Sequence, residues 1–210
     1  MTLLISDTEA YNIFPSDRHW YNKLFVARTF GYNCGEIVIP TSGKYIVRPK
    51  INLNGCGEDT TIKHYRAGDL VPSRMFWCEV FEGRHITIDY QRQFGHWVQT
   101  NTFEGFNTQA NPIEFKNWKR VEYSYPLPTP LYNIGVSDIN IEVIGGKVIE
   151  IHLRSNPDPI QYNEFWPIWT EDQLPPFAGA IRIPDREKHL HRKGFYVAPT
   201  TLSTKSNSSV

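Results

Sequence analysis

Glu142 and Glu150 stand on either side of Gly145-Gly146, each inside an apolar run, Ile139-Asn140-Ile141-Glu142-Val143-Ile144 and Val148-Ile149-Glu150-Ile151-His152-Leu153. A Gly-Gly pair between two such runs predicts a tight hairpin. Pairing centred on the turn sets position 142 near 149, which offsets the two glutamates by about one residue. Their faces then depend on register and on any bulge, because a one-residue slip turns a side chain over. Carboxylates on a buried sheet face need a cation, and Mg²⁺ takes one or two carboxylates together with phosphate oxygens. The other reading is a pair facing solvent on an edge hairpin.

Arg48 closes the run Tyr45-Ile46-Val47-Arg48-Pro49, just ahead of the loop Asn52-Leu53-Asn54-Gly55-Cys56-Gly57-Glu58. A guanidinium leading into a glycine loop suits a phosphate, since it adds charge-assisted hydrogen bonds to those of the loop amides; a solvated arginine at a strand end is the alternative. Arg154, four residues after Glu150, reaches the same anion from an extended loop or else forms a surface salt bridge. None of the seven histidines pairs at metal-ligand spacing, and the basic run Arg186–Lys193 reads as a solvated segment. Cys34, Cys56 and Cys78 indicate neither a disulfide framework nor a zinc site, and no Ser, Cys and His nucleophile signature is present.

These groups need elements to hold them. Trp20, Leu24, Ala27 and Phe30 fall near helical spacing, predicting one helix over 17–31 with Asp17 as N-cap and Gly31 as stop. Glu36–Pro40, a turn at Thr41–Lys44 and Tyr45–Pro49 read as strand, turn and strand, and Met75–Phe81 with Arg84–Tyr90 as a hairpin-like pair. Beyond Asn156 prolines 157, 159, 167, 175, 176 and 184 predict irregular chain, and the Ser/Thr-rich 200–210 predicts a disordered tail. A chain of 210 residues with 15 prolines, 14 glycines and 14% aromatics points to one mixed α/β domain of short elements and excludes a helical bundle. Lys plus Arg equal Asp plus Glu at 22 each, so no overall field draws the chain to nucleic acid or membrane. That balance counts against a single-strand platform built from Trp77, Tyr90, Trp97 and Trp118 with Arg84, Arg92, Lys116, Lys119 and Arg120. The absence of a leader-like N-terminus or an eighteen-residue apolar run predicts a cytoplasmic protein.

Taken in order, the segments over roughly 18–158 resemble the ATP-grasp superfamily, whose members phosphorylate a carboxylate and join it to an amine or thiol. Asn22-Lys23 followed by Gly31 and Ile39-Pro40 is similar to the family's Asp-Lys segment, and Tyr45–Pro49 to the strand ending in Lys-Pro, with Asn54–Gly57 as the glycine flap. Glu79-Val80-Phe81-Glu82-Gly83 looks like the hinge strand, and the Glu142 and Glu150 runs like the acidic strand pair ending in Glu-x-Asn.

The resemblance implies an α/β (α+β) fold of largely antiparallel sheets with a few helices. It implies a single compact domain over 1–199, holding a nucleotide between a smaller lobe (about 36–78) and a larger one (about 79–199). It implies ATP and Mg²⁺ as cofactors, with Lys23, Arg48, Asn54, Gly55 and Gly57 on the phosphates and Glu79 and Glu82 on the nucleoside. Glu142, Glu150, His152 and Asn156 are the implied metal ligands, and Arg154 the catalytic group at the acyl-phosphate. Arg48 departs from the family's lysine. His152 stands where asparagine gives the metal an oxygen, a role Asn156 would take over, since imidazole is a poorer partner for a hard cation. Only about twenty residues precede the first predicted helix, so the acceptor would bind in a reduced pocket or be supplied by a protein partner. The implied activity is ligation of a small-molecule or peptide carboxylate; the alternative is a scaffold that has lost catalysis and binds partners through Phe165–Trp169 and Pro175–Phe177.

Overall fold

Ser6 and Glu9 form a reciprocal capping box, the Ser6 hydroxyl accepting from Glu9 N (3.2 Å) and the Glu9 carboxylate accepting from Ser6 N (2.7 Å). That box starts α1 (Asp7–Ile13), an element the apolar pattern did not announce. The computed structural model describes residues 5–108, 111–187, 189 and 191–199; the expected tail at 200–210 lies outside them.

The single helix expected over 17–31 is a 3₁₀ turn, Arg18–Tyr21, followed by α2, Lys23–Thr29. The break falls at Asn22, whose extended backbone and side-chain oxygen cap Leu24 N (3.0 Å) and Phe25 N (3.1 Å). Asp17 caps nothing and accepts instead from Gly135 N (3.1 Å). The expected stop at Gly31 holds, with its φ of 71°.

Two antiparallel sheets follow. The smaller has the order β1-β4-β2-β3, from β1 (Cys34–Gly35), β2 (Gly43–Pro49), β3 (Thr61–Tyr65) and β4 (Met75–Glu79). The larger has the order β11-β12-β10-β7-β6-β5-β8-β9. Its strands are β5 (His85–Gln93), β6 (His96–Thr108), β7 (Asn111–Arg120), β8 (Asp138–Ile144), β9 (Lys147–His152), β10 (Glu164–Ile168), β11 (Ile181–Ile183) and β12 (Gly194–Val197).

Glu36–Pro40 is not a strand. Ile37 sits at φ 69°, which interrupts extended backbone, and Val38 makes only an isolated bridge to Leu70. Nor do β4 and β5 form a hairpin: residues 80–84 carry the chain from one sheet to the other, β4 pairing with β1 and β2, and β5 with β6 and β8. The proline-rich segment after Asn156 is more regular than its composition implied, since β10, β11 and β12 extend the larger sheet.

Alternation sorts the central strands into two faces. Ile86, Ile88 and Tyr90 of β5, Ile139, Ile141 and Val143 of β8, and Val148 and Ile151 of β9 join the main core with Ala10, Trp20, Tyr21 and Leu131. The opposite positions, His85, Thr87, Asn140, Glu142, Glu150 and His152, line a cleft of about 1300 Å³ facing Lys44, Ile46 and Arg48, the corresponding alternate residues of β2. A second apolar cluster, Leu24, Ala27, Phe76 and Cys78, seats α2 on the smaller sheet.

Residues 80–84 cross close to the β8–β9 turn. Gly145 lies at φ 57°, its N–H donates to Arg84 O (3.0 Å), and a Cβ there would stand 2.2 Å from Glu82 O. Gly145→Ala should therefore lower the unfolding free energy by about 1–3 kcal/mol, through strain at a left-handed position and displacement of the crossing segment. A urea midpoint equal to that of the parent would show that the crossing does not pack on the turn.

Candidate functional site

The β8–β9 hairpin forms as its Gly-Gly turn indicated, but its register differs from a pairing centred on the turn. A bulge between Glu142 and Val143 pairs Val143 with Val148 and Glu142 with Glu150, leaving Ile149 as the extra residue. Directly opposed residues share a face, so both carboxylates point into the cleft.

Cations from other elements meet them there. Lys23 Nζ, at the start of α2, lies 2.5 Å from Glu150 Oε1, and Arg48 Nη1 of β2 lies 3.2 Å from the same oxygen. Arg48 Nη2 donates to Ile149 O (3.1 Å), the carbonyl of the bulged residue, while its Nε is buried with no hydrogen-bond partner. His85 Nε2 lies 2.9 Å from Glu142 Oε2. His152 Nε2 stands 3.8 Å from Glu142 Oε1 and 3.9 Å from Glu150 Oε2. One donor atom from each of Glu142, Glu150 and His152 falls within a common 4.8 Å, a carboxylate, carboxylate and imidazole set that fits a divalent cation.

The ring of His152 is fixed from behind. Its Nδ1 lies 3.0 and 3.1 Å from the two oxygens of Asp7, and because a carboxylate only accepts, Nδ1 carries the hydrogen. Asp7 also accepts from Tyr21 Oη (3.0 Å) and Arg154 Nη2 (2.7 Å), and the Tyr21 hydroxyl accepts from Leu153 N (3.1 Å). Burial works to raise Asp7, but the charges of His152 and Arg154 and the hydrogen bonds from His152 and Tyr21 outweigh it and hold the carboxyl well below its ordinary range. Burial likewise opposes charge on His152, while the Asp7 carboxylate at Nδ1 and the Glu142 carboxylate facing Nε2 carry it up to about 10. Glu142 is drawn below its usual value: burial again opposes, and the two imidazoles prevail. A proton on His152 Nε2, or a cation among the three groups, meets the same electrostatic demand.

The structure brings Lys23, Arg48, Glu142, Glu150 and His152 into one group. Gly55, Gly57, Glu82, Arg154 and Asn156 also line the cleft. Arg154 is engaged by Asp7 and by Glu187 Oε1 (3.1 Å). The Asn156 side-chain oxygen accepts from Asp158 N (3.0 Å), and its backbone N–H donates to buried Asp89 (2.8 Å). Asn54 turns into its own loop, donating to Glu58 (3.1 Å). Glu79 lies off the cleft wall, accepting from Asn33 N (3.1 Å) and facing Lys147 Nζ at 3.6 Å. Asp7 and His85 went unnoticed in the sequence. Ser6-x-x-Glu9 would have located the helix that carries Asp7, and the strict alternation of β5 would have put His85 and Thr87 on one face.

The basic run 186–193 is not simply solvated. Arg192 Nε and Nη2 pair with Asp185 (3.0 and 3.2 Å), Arg192 Nη2 pairs with Asp158 (2.9 Å), and His189 bridges Asp185 (2.7 Å) and Glu187 (3.0 Å). This segment closes on the glycine loop, where a Cβ at Gly55 (φ 69°) would stand 2.8 Å from His189 Nε2. Of the proposed stacking aromatics, Trp77, Tyr90 and Trp118 are buried in the packed structure and Trp97 lies under the Arg92 guanidinium, 4.7 Å from its centre.

No family model and no curated protein matches the sequence. Solved structures do match in three dimensions. The chain superposes on the N5-carboxyaminoimidazole synthetase of Staphylococcus aureus complexed with ADP with a TM-score of 0.54, over 88% of this chain and 68% of the other, at 10% identity. On the carboxyaminoimidazole ribonucleotide synthase of Aspergillus clavatus complexed with ATP the TM-score is 0.54, over 87% and 69%, at 11% identity. The fold is that of the ATP-grasp proteins. An ATP-grasp superfamily protein of Archaeoglobus fulgidus adds a TM-score of 0.51 over 93% of this chain and 68% of its own length, at 11% identity. The ATP-grasp resemblance therefore holds for the fold and its antiparallel sheets; identities this low say nothing further about activity. No helix among the described residues is long and apolar enough to cross a membrane.

Two consequences follow for stability. Arg154→Met leaves Asp7 buried with one cation fewer and should cost about 3–5 kcal/mol, read as a lower urea midpoint; an unchanged midpoint would mean the Asp7 network is not closed by Arg154. His189 is raised to about 9, burial opposing its charge and the hydrogen bonds to Asp185 and Glu187 outweighing burial. A raised histidine stabilises fully below its ordinary value near 6.5 and loses that contribution as pH rises through about 9. The stability gap between the parent and His189→Gln should thus be constant below pH about 6.5 and close by pH about 9. A gap independent of pH would show that His189 is not held charged.

Proposed function

We propose that the chain is an ATP-dependent ligase-like enzyme: it transfers the γ-phosphoryl group of ATP to a carboxylate oxygen, and an amine or thiol then displaces phosphate from the acyl-phosphate. The observation that carries this reading is the opposed pair Glu142 and Glu150 on the floor of the inter-sheet cleft, with Lys23 and Arg48 on Glu150. Phosphoryl transfer asks a protein chiefly for positioning and charge neutralisation. Lys23, Arg48 and the amides of the Gly55–Gly57 loop would hold the phosphates. Glu142, Glu150 and His152 would hold a divalent cation, which when bound would neutralise charge on the transferred group. The two sheets would serve as the two lobes of one domain, with β4 through Glu79 on the smaller lobe, one residue beyond the expected division at 78/79. Glu82, on the crossing segment, lines the cleft and would face the nucleoside; Glu79 would act instead by fixing the end of β4 to Lys147. Arg154 would reach the acyl-phosphate only by exchanging Asp7 or Glu187 for it. The carboxylate substrate, small molecule or peptide, would occupy the arm of the cleft beside His85, Phe115 and Trp118.

One observation favours a second reading, a scaffold that binds but does not turn over: Glu150 is already met by two cations and Arg154 by two carboxylates, a set of partners that closes without ligand. Calorimetric titration of a non-hydrolysable ATP analogue with and without Mg²⁺ separates the outcomes when paired with ATP turnover. The ligase reading predicts cation-dependent micromolar binding that falls at least tenfold in Glu150→Gln, together with turnover by the parent. Binding without turnover across carboxylate substrates would select the scaffold, and no binding at all would remove the nucleotide site.

A further inference from the structure

Among the groups in the cleft, His152 is the one whose chemistry least suits Mg²⁺ and whose placement is most constrained. Asp7 accepts from its Nδ1, and Asp7 is itself held by Tyr21 and Arg154. The other nitrogen, Nε2, is thereby aimed between the two carboxylates, 3.8 Å from Glu142 Oε1 and 3.9 Å from Glu150 Oε2. Those separations are too long for hydrogen bonds, yet they lie inside about 4.2 Å, the span of two metal–ligand bonds of about 2.1 Å across one ion. A carboxylate behind a histidine whose other nitrogen faces a set of anionic donors is the arrangement that orients imidazole ligands at transition-metal sites. Asn156, the residue expected to supply an amide oxygen, spends that oxygen on Asp158 N.

We propose that His152 ligates the cation of this site through Nε2, and that the site thereby takes a first-row transition dication, Mn²⁺ for example, in preference to Mg²⁺. The inference rests on the metal reading of the cleft given above. A nitrogen donor adds little for Mg²⁺, which prefers an all-oxygen shell and keeps its waters, and adds affinity for later dications, so the ratio of the two affinities reports directly on His152. Asp7 acts as a positioning residue, and loss of such a partner at metal sites costs about 10–100-fold in affinity.

The test uses the full chain with Mn²⁺ and inorganic tripolyphosphate in a buffer without nitrogen ligands, so that no adenine nitrogen contributes. Pulsed electron paramagnetic resonance of the bound Mn²⁺ should show nitrogen modulation. His152→Asn, checked for a parental melting curve, should abolish that modulation and reduce the Mn²⁺ to Mg²⁺ affinity ratio at least tenfold; Asp7→Asn should weaken Mn²⁺ binding about 10–100-fold. If His152→Asn fails to fold, His152→Gln is read in its place for the same two quantities. Mn²⁺ bound without nitrogen modulation and with an affinity ratio unchanged in the variant overturns the assignment of His152 while leaving the metal reading intact. Absence of Mn²⁺ and Mg²⁺ binding alike overturns both.

Discussion

Two carboxylates set directly opposite one another on neighbouring strands repel, and the arrangement around Glu142 and Glu150 answers that repulsion. Three elements remote in sequence each contribute a cation or an imidazole, Lys23 from α2, Arg48 from β2 and His85 from β5, and β9 itself adds His152. The smaller sheet is thus tied to the larger across the cleft by Arg48, whose second nitrogen takes the carbonyl of the bulged residue. The N-terminal helix is tied in through Asp7, which orients His152 and holds Arg154. A one-residue change of register at the bulge would set Glu142 and Glu150 on opposite faces and leave these cations with no shared partner. The bulge is therefore the local feature on which the cleft's electrostatics depend.

The same network explains how one set of residues is compatible with both functional readings. With the cleft free of ligand, Lys23 and Arg48 neutralise Glu150. Lys23 and Arg48 would turn to a bound phosphate chain, and Glu142, Glu150 and His152 would then hold a divalent ion in their place, so that each buried charge keeps a partner. Burial makes that compensation necessary, because an unpaired charge in such surroundings is strongly unfavourable. A scaffold protein would keep the first set of partners permanently; a ligase would alternate between the two.

How much of this was legible in the sequence depends on whether a feature is local. The Gly145-Gly146 hairpin, β2, the glycine loop with its left-handed Gly55 and Gly57, and the stop at Gly31 follow from residue types and short spacing, and the structure contains them. The register of the hairpin did not follow, because Val148, Ile149 and Ile151 are all apolar and nothing in their types marks Ile149 as the extra residue of a bulge. The separation of β4 from β5 was hidden for a similar reason, since periodicity announces a strand but not the sheet it joins. Asp7 lies in a short polar segment where a lone acid reads as a solvated group, and its burial is a product of tertiary packing against Tyr21, His152 and Arg154. The ATP-grasp resemblance succeeded at the level of fold because it used the order of several segments at once, where no single segment was specific.

The most direct test of the account is a crystal structure of the chain with a non-hydrolysable ATP analogue and a divalent cation at saturating concentration. The phosphates are expected in the inter-sheet cleft against Lys23 and Arg48, the Lys23 to Glu150 contact broken, and the ion between Glu142 and Glu150. A nucleotide bound elsewhere, or well-ordered crystals in which Lys23, Arg48 and Glu150 keep their present partners and the cleft holds no nucleotide, would contradict it.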